Sequence, residues 1–203
     1  MSLSRRLLIR APIALLGMPA FAADAGAAPA VIGRFCDELL TVMQQAKQLS
    51  FEQRYERLAP TVSRVFDLPF MSRIAVGPVW AQIPADQQQR LTSAFSRYTI
   101  SMYANRFDDF GGEHFEVEPQ PAANPNGVLV KSALIKANGE KVSLNYLLRQ
   151  DGGGGWKVID IYLSGTISEL AARRSEFAAV LQRSGAEGLV QLLEQRTAAL
   201  RAG

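Results

Sequence analysis

The spacing of the apolar residues changes twice along the chain, and that change limits the fold more than any single motif. Val31, Phe35, Leu39, Val42, Met43, Ala46 and Leu49 recur at three- and four-residue steps, which is one face of a helix. Ser50-Phe51-Glu52-Gln53 is a capping box that starts a second helix, with Tyr55 and Leu58 facing inward. Pro60 is expected to break or kink it, because proline lacks the helical N–H donor. Asp67-Leu68-Pro69 reads as a turn into a short helix, Phe70 to Val76, and Gly77-Pro78 stops it. The longest helix is expected over about 84–109, with a stripe of Leu91, Ala94, Phe95, Tyr98, Met102, Tyr103 and Phe107. After Gly111-Gly112 the period falls to two. Phe115 and Val117, followed by Pro119 and Pro121, suggest an edge strand. Residues 128–136 read as one strand, and Asn138-Gly139 is a hairpin turn. Val142, Leu144, Tyr146 and Leu148 alternate with polar neighbours, and 156–163 is a fourth strand. Thr166-Ile167-Ser168-Glu169 then restarts a helix, Gly185 closes it, and a last helix covers about 186–200. Helices, then strands, then helices imply an α+β fold, a helical layer wrapped on a four-stranded antiparallel meander.

The chemistry-bearing residues are few. One His and one Cys exclude a multi-histidine metal site, a disulfide framework and a cysteine-based zinc site. No nucleophile elbow, phosphate-binding loop or H-E-x-x-H helix is present. Gly152–Gly155 precede a strand and lack a following Lys-Ser/Thr, so they make a hairpin loop. Asp160 interrupts an apolar strand and needs a partner. Its partner is an arginine, a helix N-terminus or a substrate. The catalytic alternative, an isomerase or hydratase on a cone-shaped fold, joins Asp160 to Tyr98 or His114 and requires Asp160 to share the inward face with Val158 and Trp156. Arg173-Arg174 is either a docking patch or a solvated helix face. Large apolar residues are in surplus on the long helix and the strands. Either they fill the solid core of a ligand-free accessory subunit or they line a cavity for an apolar ligand. The cavity set read from periodicity is Phe66, Phe70, Trp80, Phe95, Tyr98, Met102, Tyr103, Leu129, Leu144, Tyr146, Leu148, Val158 and Tyr162. It calls for no metal and no cofactor.

Residues 1–22 read as a cleaved signal peptide, leaving 23–203 as one domain. Arg5, Arg6 and Arg10 precede an uncharged stretch, 11–23, and Ala20-Phe21-Ala22 is a small-x-small cleavage site. The apolar run is too short to span a bilayer. Ser4-Arg5-Arg6-Leu7-Leu8 fits a twin-arginine signal, although arginine pairs also begin ordinary ones. Loss of the three arginines leaves 19 basic and 19 acidic residues, so bulk charge gives no attraction for nucleic acid.

Several segments together resemble the MlaC/toluene-tolerance family of periplasmic lipid carriers. They include Arg54-Tyr55, Val65-Phe66-Asp67, Ile74-Ala75 with Gly77 and Trp80, and Gln89-Arg90-Leu91. Further matches are Phe110-Gly111-Gly112, Trp156 to Ile161, and Gly165-Thr166-Ile167-Ser168. Tyr103-Ala104-Asn105-Arg106-Phe107, Tyr162 to Ala171 and Arg173-Arg174-Ser175-Glu176-Phe177 look closest to its hopanoid-associated branch, HpnM. The resemblance implies a helical layer on an antiparallel sheet related to the NTF2-like cone. It also implies a non-enzymatic carrier that takes a hopanoid or a phospholipid between inner and outer membranes. The implied partners are an inner-membrane complex of RND type or ABC/MCE type and an outer-membrane acceptor.

Overall fold

The computed structural model describes residues 26–202. The expected signal peptide lies outside the described residues. Five helices and seven strands follow in the order α1 (Ala27–Gln44), α2 (Phe51–Val65), α3 (Leu68–Val76), α4 (Ala85–Arg106), β1 (His114–Val117), β2 (Ala122–Asn124), β3 (Gly127–Val130), β4 (Ser132–Ile135), β5 (Lys141–Gln150), β6 (Trp156–Leu163), β7 (Ile167–Ser168) and α5 (Glu169–Ala202). Short 3-10 turns cover Ala46–Gln48 and Pro78–Gln82. Among the described residues no helix is long and apolar enough to cross a membrane.

The helix starts follow their caps. Ser50 accepts the Gln53 amide, and the Gln53 side chain accepts the Ser50 amide. Asp67 accepts the Phe70 amide at 3.1 Å and so begins α3. Pro60 does not break α2, contrary to expectation. It lies on the exposed side, as does Glu56, so the Glu56 carbonyl that loses its helical donor can meet water. The small residues at 27–30 are also helical, one turn earlier than the sequence pattern suggests.

Gly185 has φ 63° and ψ −167°, which no helix interior can hold. A straight helix would separate Glu176 from Arg196 by about 30 Å at its usual rise. Here the two side chains bond each other, so the chain folds back at Gly185 into a helical hairpin. Its second arm runs beside α4, with ion pairs Arg90–Glu187 at 2.7 Å and Arg97–Glu194 at 3.0 Å.

The sheet is antiparallel but is not the four-stranded meander expected. The stretch 128–136 splits at Lys131 into β3 and β4, and both pair along the same side of the long strand β5. Each half takes its own outer partner: β2 against β3 and β1 against β4. Strand β6 holds the other side of β5, with β7 beyond it. One long strand with two short neighbours on one side lets the sheet bend between them. A β-bulge lies in β6: Leu147 pairs with Asp160 and Leu148 with Val158, leaving Ile159 unpaired.

Helix α1 lies across the sheet, and an aromatic cluster fills the contact. Phe35 meets Phe66, Tyr103 and Tyr146 at ring separations of 5.3, 5.5 and 6.0 Å. Edge-on pairs of this kind each add about 0.5–1.5 kcal/mol beyond their burial. Beside them lies Cys36, whose thiol is pushed up to about 12 by burial.

Gly127 is required by a close approach. Its φ is 149°, and a Cβ there would sit 2.0 Å from the Leu148 carbonyl oxygen of β5. The prediction is that Gly127→Ala loses about 3 kcal/mol, because the β3–β5 ladder must shift. Gly139→Ala, strained in φ but with open space around it, loses about 1 kcal/mol. Urea unfolding of both variants checks the order.

Candidate functional site: an apolar cavity between helix and sheet

The face of α4 that looks at the sheet does not touch it everywhere. A cavity of about 450 Å³ lies between them, within the range of small-molecule sites. Helix α4 contributes Phe95, Tyr98, Thr99, Met102, Tyr103 and Arg106, with Phe107 just after its end. The sheet contributes Leu134, Val142, Leu144, Tyr146, Ile161 and Leu163. Met71 from α3 and Leu170 from α5 close the sides. Met71, Phe95, Tyr98, Tyr146 and Leu170 are buried, whereas Arg106, Lys136 and Ser164 are exposed. The three exposed residues mark the mouth. It lies between the end of α4, the β4–β5 hairpin and the β6–β7 turn.

Polar atoms in the wall are turned outward or bonded to one another. The Tyr98 ring faces the cavity while its hydroxyl accepts from Arg196, and Arg173 lies 5.2 Å over the same ring. The hydrogen bond from Arg196 holds the Glu176 carboxyl below its ordinary value. Tyr103 and Tyr146 hydrogen-bond each other, and burial raises both phenols above their ordinary values. Both stay protonated and neutral, so the back wall carries no charge. Arg173 is held at the side by Glu169 at 3.6 Å and Glu176 at 3.5 Å.

Six of the residues expected at a cavity do line it: Phe95, Tyr98, Met102, Tyr103, Leu144 and Tyr146. Seven do not. Phe66, Leu148 and Val158 are on the correct face but form solid core beyond the cavity wall, each at 2% exposure or less. Phe70 is turned to the Arg149 guanidinium, 3.7 Å from its ring, and its neighbour Met71 faces the cavity instead. Trp80 sits in the 3-10 turn after α3, where its carbonyl accepts from Gln88. Leu129 pairs with Leu147, so it shares the sheet face that points away. Tyr162 pairs with Asn145 on that same outer face.

The bulge at Ile159 explains where both Tyr162 and Asp160 point. Strict alternation puts Val158, Asp160 and Tyr162 on one face. The extra residue reverses the face, so Ile161 and Leu163 enter the cavity and Asp160 leaves it. Asp160 accepts from the Leu170 amide at 3.2 Å, the Ile161 amide at 2.8 Å and the Ser168 hydroxyl at 2.5 Å. It is therefore a helix cap, at the first turn of α5. Ser168 completes the cap through the Ala171 amide, so the start lies two residues later than the Thr166 box suggests. Tyr98 is in the cavity, His114 is exposed at the start of β1, and Asp160 is on the outer face. The three do not converge. Among the described residues no cluster of three His, Cys, Asp or Glu could hold a metal ion.

Arg174, exposed on α5, donates to the Ile74 carbonyl at 2.9 Å and caps the end of α3. Periodicity missed the polar mouth residues, Arg106, Lys136 and Ser164, because nothing apolar marks them. It also missed Met71, Leu134 and Leu170, which sit on elements whose facing depends on tertiary packing.

The sequence profile of the family described as MlaC protein matches residues 34–195. The chain belongs to that family. A solved structure of a phospholipid-binding protein from Ralstonia solanacearum, in complex with a phospholipid, is 28% identical to it. The match covers 85% of this chain and 98% of that one, with a TM-score of 0.73. No curated protein matches. MlaC membership carries the mixed helix and antiparallel sheet architecture seen here.

The cap assignment has a direct consequence. Asp160→Ala leaves the Leu170 and Ile161 amides without their acceptor and lowers stability by about 2 kcal/mol, read from urea unfolding. An unchanged midpoint would refute the capping role.

Proposed function

We propose that this MlaC-family chain is a non-enzymatic lipid carrier of the periplasm. It holds a phospholipid with acyl chain in the α4–sheet cavity and headgroup at the mouth, and ferries it between inner and outer membranes. The observation that carries the proposal is the cavity itself, apolar within and polar only at its opening. The phospholipid held by the Ralstonia relative supports the choice of cargo. The N-terminal signal supports export.

The energetics favour such an arrangement. Each methylene removed from water contributes about 0.8 kcal/mol. A carrier that left the tail wet would lose its cargo to any bilayer. Enclosure by Phe95, Met102, Leu144 and Ile161 provides a dry site, and the bonded polar tips leave few groups for a tail to strand. Binding alone sets no direction. Direction comes from differential affinity at the partners, an ABC/MCE or RND-type complex in the inner membrane and an acceptor in the outer one. The non-convergence of Asp160, Tyr98 and His114 supports the absence of catalysis.

Mass spectrometry of solvent extract from detergent-free protein tests the proposal. A phospholipid near one per chain is expected. It should disappear in Leu144→Trp, which fills the cavity, while the far-ultraviolet circular dichroism stays unchanged. A hopanoid would keep the carrier and replace its cargo. Extract free of lipid from both forms would overturn the proposal.

A further inference from the structure

The charges at the cavity mouth are not equivalent. Lys136 is paired to Glu140 at 3.0 Å. Arg173 is paired to Glu169 and Glu176 and is largely covered. Arg106 lines the cavity, is exposed and has no ion pair among the described residues. Its backbone is held in place. It is the last residue of α4, and the Phe107 amide bonds the Tyr103 carbonyl at 3.1 Å. The Tyr103 and Phe107 rings on either side stack at 5.7 Å. A fixed backbone thus presents an exposed guanidinium without an ion pair at the opening of an apolar site.

We infer that Arg106 is the headgroup-recognition residue and that its target is a lipid phosphate. The inference rests on the carrier reading, which places the head at this mouth. A guanidinium presents parallel N–H donors matching two phosphate oxygens, and such charge-assisted bonds are stronger than neutral ones. Lys136 lies at the same opening, but its ammonium is shared with Glu140, so its part is smaller. The selectivity that follows is for phosphate-bearing lipids over neutral lipids with the same tails. A polycyclic lipid with an uncharged head gains nothing from Arg106.

Native mass spectrometry of delipidated protein with dioleoylphosphatidylglycerol or dioleoylglycerol tests this. Arg106→Gln should weaken phosphatidylglycerol binding roughly tenfold and leave dioleoylglycerol unchanged. Arg106→Lys should fall between wild type and Arg106→Gln, because it keeps charge but loses the fork. Lys136→Gln should change either lipid by no more than about twofold. Equal loss of both lipids in Arg106→Gln, or loss of neither, would overturn the inference while leaving the carrier intact. Wild-type protein that binds neither lipid would overturn the carrier reading and this inference together. Displacement of phosphatidylglycerol by micromolar inorganic phosphate would assign the site to a free anion and overturn the headgroup role.

Discussion

One unpaired residue in β6 sets the arrangement on both sides of the sheet. Because Ile159 has no partner on β5, the strand changes face after Val158. On the inner side this puts Ile161 and Leu163 beside Leu144 and Tyr146, which completes the cavity's sheet wall. On the outer side it turns Asp160 to the start of α5, where it takes the Leu170 amide and the Ser168 hydroxyl. Without the bulge, a carboxylate would enter an apolar cavity and a helix N-terminus would lose its acceptor. The added local twist also lets β5 and β6 bend around α4 instead of lying flat against it.

A cavity is costly unless its walls are held apart, and here the supports are polar contacts placed behind the wall. Arg196 bonds the Tyr98 hydroxyl and Glu176, linking α4 to both arms of the α5 hairpin. Arg54 bonds the Ala104 and Leu49 carbonyls and ties α2 to the end of α4. Arg149 bonds Asp67 at 3.0 Å while covering Phe70, which fixes α3 against the sheet. These groups keep their hydrogen bonds outside the cavity and leave tyrosine and methionine surface inside it. The same division of labour explains why tyrosine, with one polar end, recurs in the lining.

Much of this was legible in the sequence where one local rule acts alone. The capping box at Ser50, the Asp67 turn into α3, the Asn138-Gly139 hairpin and the break at Gly185 follow from side-chain chemistry within four residues. The α4 stripe was legible because 3.6-residue periodicity has no competing signal there. The failures share a different cause. The split at Lys131 depends on how β5 pairs, the tolerance of Pro60 on which side of α2 meets water. Tyr162 faces outward because alternation passes through a bulge that no residue type announces, and Leu129 does so because its register against Leu147 is set by how β3 pairs with β5. The mouth was invisible because Arg106 and Lys136 come together only through the fold.

The central claim is that the space between α4 and the inner sheet face encloses an acyl chain. The most direct measurement is a set of nuclear Overhauser contacts between a carbon-13-labelled acyl chain and the protein's methyl groups. The account predicts contacts from chain methylenes to Met102, Leu144 and Ile161, and none to Leu129 or Leu147 on the outer face. Contacts confined to the outer face, or bound lipid with no contact to the first three residues, would contradict it.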